Sequence, residues 1–125
     1  MTRRFTFLLL LSLAACGNAG PGSFREGRVP NASYKVPQDV FSDILARFPE
    51  GVEGRQELTL EVTEAGDGNN VVVLTIDGLL DDSIGAEQHR ATLRFRDGGW
   101  RVTRIGQRWQ CRRGFSIGWT TKTCG

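Results

Sequence analysis

Histidine, methionine and tyrosine each occur once in the 125 residues, beside three cysteines and four prolines. One histidine, His89, is too few for an ordinary metal site, and no Cys-x-x-Cys pair supplies a zinc ribbon or a close redox dithiol. No Gly-x-Gly-x-x-Gly follows a strand pattern and no Gly-Lys-Ser/Thr occurs, so neither a dinucleotide-binding unit nor a P-loop is supported. Ser83 and Ser116 lie in no Gly-x-Ser-x-Gly elbow, and no Ser-x-x-Lys is present. Neither a metal nor a cofactor is therefore expected. The composition that remains, 39% hydrophobic and 24% charged residues, is that of one ordinary globular domain.

The most informative stretch is the first. Arg3 and Arg4 precede an apolar run, Phe5 to Leu13, which is too short to cross a hydrocarbon core needing about 20 residues. Ala14 and Ala15 then lead into Cys16. Positive start, short apolar core and small residues in that order read as a secretory signal. The leucine-rich core directly after the arginines favours general secretion over the twin-arginine route. Leu13-Ala14-Ala15-Cys16 resembles the lipobox of bacterial lipoproteins. That resemblance implies a signal over residues 1–15, a diacylglycerol on the Cys16 thiol and a mature chain beginning there. Two or three acyl chains hold a protein on a membrane almost permanently, at roughly 0.8 kcal/mol per buried methylene. Gly17, where an aspartate would retain such a protein on the inner membrane, favours the outer membrane. The expected setting is the cell envelope, lipid-anchored and facing the periplasm.

Residues 16–35 then read as a lipidated N-terminus and flexible tether, because Gly17 to Pro30 is rich in glycine, proline, asparagine and serine. A single domain is expected over 36–125. Val40, Phe41, Ile44, Leu45 and Phe48 recur at helical spacing behind Pro37, and Pro49 with Gly51 would stop that run. Glu57–Thr63 alternates, with Leu58, Leu60 and Val62 on one face. Val71–Ile76 is apolar on both faces, as a central strand would be. In Glu87–Arg96, Ala91, Leu93 and Phe95 point inward, and Asp97-Gly98-Gly99 signals a hairpin into Trp100–Trp109. Ile105 breaks the parity set by Trp100 and Val102, which predicts a bulge near Thr103 or Arg104.

The expected fold is α+β: one N-terminal helix packed on a four-stranded antiparallel meander, with a disulfide-closed C-terminal loop. That element order resembles the cystatin-like and nuclear-transport-factor-like arrangements, which host many activities and imply none. With Cys16 assigned to lipid, Cys111 and Cys124 pair in an oxidising compartment and staple the loop between them. Trp109-Gln110-Cys111-Arg112-Arg113-Gly114, with Trp119 and Cys124, resembles the ending of small envelope proteins of no assigned activity.

Charge is strongly segregated. Residues 39–88 hold twelve acidic groups against two arginines, whereas residues 90–125 hold nine basic groups against Asp97. Arg94, Arg96, Arg101, Arg104, Arg108, Arg112 and Arg113 form a candidate anion-binding patch, to which Trp109, Phe115 and Trp119 could add stacking surfaces. The alternative is that the acidic half folds over the basic half and neutralises it. The expected function is non-enzymatic binding or assembly, with the membrane as one partner through the lipid. An anionic glycan or lipid, or an envelope protein, would be another; an exported chain does not meet nucleic acid. One alternative is an inhibitor of a wall-degrading enzyme or protease that uses the loop between Cys111 and Cys124. The other is a small-pocket enzyme in which an inward His89 faces Asp81 or Asp82.

Overall fold

The computed structural model describes residues 22–48, 56–114 and 118–125. Cys16 and its leader, Pro49, Gly51 and Phe115 lie outside the described residues. The protein is mostly antiparallel β-sheet with one short helical segment and a Cys111–Cys124 disulfide.

Four long strands carry the sheet: β3 (Glu57–Glu64), β4 (Asn69–Asp77), β5 (Ile84–Arg96) and β6 (Gly99–Cys111). They pair in chain order as a meander, as the alternation predicts. Between β5 and β6 the chain reverses through Asp97 and Gly98, both at positive φ (53° and 79°). That is the backbone a two-residue hairpin of matching twist requires, and it explains the Asp-Gly dipeptide. The register slips at Gly85, between Ile84 and Ala86, and again beside Thr92, which faces Arg104 while Leu93 faces Val102, leaving Thr103 as the extra residue. The Thr103 hydroxyl donates to the Thr92 carbonyl at 3.2 Å, and beyond the bulge Ile105 returns to the apolar face.

Three further strands, each of two residues, line the outer edge of β6. They are β2 (Ser33–Tyr34) opposite Arg101 and Trp100, β1 (Arg25–Glu26) opposite Gln107 and Gly106, and β7 (Trp119–Thr120) opposite Gln110 and Trp109. The meander expected as the whole sheet is thus extended, on its β6 side only, to seven strands among the described residues. Within the described part of the stretch expected as a tether, β1 and β2 are paired to β6 rather than loose. Their low apolar content hid them: a two-residue strand is held by backbone bonds to its neighbour, which leave no periodicity.

The core lies on one face. Val72, Leu74 and Ile76 of β4 and Ala91 and Leu93 of β5 are buried there, joined by Val102 of β6. Phe41 covers them from a nine-residue segment, a 3-10 turn over Pro37–Phe41 followed by α1 (Ser42–Leu45). The expected stripe of Val40, Phe41, Ile44, Leu45 and Phe48 does face the core, but over a shorter and tighter helix than the spacing predicts. A segment well below the roughly 12 residues that a helix needs alone takes whatever winding its anchors permit. Here the anchors are buried Pro37 and Phe41. Among the described residues no helix is long and apolar enough to cross a membrane.

Candidate functional site

The face opposite the core is where the arginines gather. Register places Gln88, Arg90, Thr92, Arg94 and Arg96 of β5 beside Arg108, Gly106, Arg104, Arg101 and Gly99 of β6, in that order. Five of the seven predicted patch residues therefore share one sheet face: Arg94, Arg96, Arg101, Arg104 and Arg108. Arg90, which the prediction omitted although its parity was readable, joins them.

These guanidiniums are not equivalent. Arg108 is the most constrained: Nε donates to Gln88 Oε1 at 2.7 Å, and Gln88 Nε2 donates to Thr75 Oγ1 at 2.8 Å, a relay across three strands. Its guanidinium carbon lies 4.3 Å from the Phe24 ring centre and 5.0 Å from that of Trp119. Arg90 also lies over the Phe24 ring, 4.6 Å from its centre. Burial, and then the charge of Arg90, push Arg108 below the ordinary arginine pKa, from a value too high for its charge at neutral pH to be threatened. Arg104 meets Glu26 of β1, Nε to Oε1 at 2.7 Å. Towards the hairpin, Arg94 and Arg101 stand directly opposite one another with no acidic partner among the described residues. The Arg101 Nε is buried there without a hydrogen bond. Two like charges across a strand pair oppose each other, so this end gains from an anion.

Arg112 and Arg113 do not belong to that face, which corrects the seven-residue patch. Beyond the end of β6 they border a depression of about 400 Å³ with Leu79, Leu80, Asp81 and Asp82. Arg112 Nε donates to the Asp81 carbonyl at 2.8 Å, and its Nη2 donates to the Leu79 carbonyl. Asp81 Oδ1 accepts from the amides of Ser83 and Ile84 at 2.7 and 2.9 Å, which holds its carboxyl below the ordinary pKa, with Arg112 adding to the effect. The strand face ended one residue earlier than a charge count could know, so Arg112 serves the 78–83 connection instead. This corner is where the acidic and basic halves meet, whereas Arg104 finds its carboxylate, Glu26, in the segment before the acidic half.

His89 lies on the core face, as its parity requires, but Asp81 and Asp82 border a separate depression. Its partner is Glu87, Nε2 to Oε1 at 3.1 Å, with Phe41 against the ring at 5.9 Å between centres. His89 itself borders a cleft of about 360 Å³ with Arg25, Arg28, Gln107 and Trp109. Arg25 sits over Trp109 at 6.0 Å. Among the described residues the cleft is also bordered by Glu26, Gly27, Ile105 and Gly106. Among the described residues no three of His, Cys, Asp and Glu cluster as metal ligands would.

Cys111 and Cys124 are bonded, with their Cα atoms 5.4 Å apart. The bridge fastens the chain end that carries β7, and so holds Trp119 against Arg108. Phe24 is the residue this site adds to the prediction: Trp119 was expected as a stacking surface and lies over Arg108, whereas Phe24 gave no signal in its glycine-rich surroundings. Compared with known families, curated proteins and solved structures, the chain matches none of them.

Proposed function

We propose that this is a lipid-anchored protein of the bacterial cell envelope, attached through Cys16 and facing the periplasm, that binds or helps assemble a partner without catalysing a reaction. The surface that does so is the basic sheet face at the hairpin end: Arg94, Arg96 and Arg101, flanked by the aromatic-clamped Arg90 and Arg108. The observation that carries the reading is the Arg94–Arg101 pair, two opposed guanidiniums without an acidic neighbour among the described residues. An anionic envelope glycan or lipid, or an acidic stretch of an envelope protein, fits it by charge. The helix sits on the core face of the sheet and leaves the arginine-bearing face for such contact.

The test is co-sedimentation of residues 17–125, which lack the lipid-bearing Cys16, with vesicles of zwitterionic lipid, with and without an anionic lipid fraction, over a salt series. Binding is expected only to the anionic vesicles and to fall steeply as salt rises. Arg94→Glu with Arg101→Glu should abolish the charge-dependent part. Salt-independent binding, or full binding by the double variant, would reject the reading.

A further inference from the structure

The opposite edge of the sheet carries a second surface. Among the described residues β3 pairs only with β4, so the outer edge of an eight-residue strand is left without a neighbour. Its core-side residues are under-covered: Leu60 is 37% exposed and Val62 is 45% exposed. An edge of this length with exposed apolar side chains is a template for strand addition. What distinguishes it is the order of its side chains. Glu57, Leu58, Thr59, Leu60, Glu61, Val62 and Thr63 have threonine and glutamate alternating on the outward face and only apolar residues between them.

We infer that β3 pairs with the β3 strand of a second copy of this chain, antiparallel about a two-fold axis at Leu60. In that register Leu60 meets Leu60 and Leu58 meets Val62. On the other face Glu57 meets Thr63 and Thr59 meets Glu61. Glu57 and Glu61 thus lie opposite hydroxyls, and Glu64, the last residue of the strand, lies opposite Gln56. A shift by two residues one way sets Glu57 against Glu61, and the other way sets Glu61 against itself, each opposed by charge. A shift by one residue would turn the apolar face of one strand onto the acidic face of the other. Only the pairing centred on Leu60 keeps nearly the whole strand in contact without opposing carboxylates, and self-complementarity of this kind is what a closed two-fold interface requires. The pairing would cover Leu60 and Val62 of both copies and continue the core face across the junction.

Two substitutions at Thr59, an exposed position, separate this occupant from any other. Thr59→Lys places a cation opposite the second copy's Glu61, twice per dimer, and Thr59→Glu places a carboxylate there. In sedimentation equilibrium of the full chain in density-matched detergent, dimerisation should tighten about tenfold with Thr59→Lys and weaken about tenfold with Thr59→Glu. Hydrogen exchange should show amides of β3 slowing with concentration while those of β6 stay unchanged. The reverse order of the two variants would mean that Thr59 does not face Glu61 of a second copy, and overturns the dimer in this register. A monomer at every concentration with Thr59→Lys present, or a dimer without slowing in β3, overturns it equally.

Discussion

Along β6 three separate pieces of chain lie end to end on the outer edge, whereas the outer edge of β3 meets no strand among the described residues. The two edges also differ in what reinforces them. On the β6 side a disulfide, a cation–π sandwich around Arg108, an ion pair from Glu26 and two close backbone approaches all act on segments of two residues. Strands that short contribute few ladder bonds, so each needs a side-chain or covalent fastening to outweigh the entropy of ordering it. β3 has eight residues, a full register with β4 and Leu58 packed on the core, and it needs no such help. What it has instead is charge on one face, a device that limits indiscriminate strand pairing. The molecule therefore closes one edge by fastening fragments to it and guards the other by patterning.

Four changes should break or sharpen that contrast. The largest effect is expected from removing the bridge by Cys111→Ser with Cys124→Ser. In the chain-entropy treatment a loop of this length is stabilised by roughly 3 kcal/mol, and the loss should appear as a lower denaturation midpoint with faster exchange at β7. Next is Gly106→Ala on β6. A Cβ there would meet the Phe24 Cβ at 2.8 Å and the Arg25 carbonyl oxygen at 3.1 Å. Displacing β1 should cost about 1–3 kcal/mol, with the fluorescence of Trp109 reporting the loss of Arg25 from its ring. Glu26→Gln, which breaks a pair whose side chains are 62% and 50% exposed, should cost at most about 1 kcal/mol and only at low salt. Smallest of all, Val62→Thr on the open edge should leave chemical denaturation of dilute protein within about 0.5 kcal/mol of the parent. A larger loss there than at Gly106 would mean that the two edges are not built as described.

The same contrast separates what could be read from the sequence and what could not. β3 to β6 announce themselves through alternation over many residues, and the Asp97-Gly98 turn through the backbone it demands. Even the bulge at Thr103 was legible, because Ile105 sat at the wrong parity for a regular strand. β1, β2 and β7 were not, since two residues cannot show a period and their partners lie far away in the chain. The basic site was half legible for a related reason. Parity assigns Arg94, Arg96, Arg104 and Arg108 to one face only when the bulge is allowed for, and nothing local says that Arg112 turns away to hold the carbonyls of Leu79 and Asp81. The helix was legible in its stripe but not in its winding, which the sheet beneath Phe41 decides.

That β1 rests on Gln107 and Gly106, and β7 on Gln110 and Trp109, has a consequence for how the protein is made. Arg25 waits for a partner more than eighty positions downstream, and the final stretch to Cys124 must arrive before the last seam is sealed. Contacts so distant slow folding, because a long loop must close before they give anything back. A chain emerging N-terminus first would carry its opening segment unpaired until almost all of it had been delivered, and would acquire its finished border in a single late step.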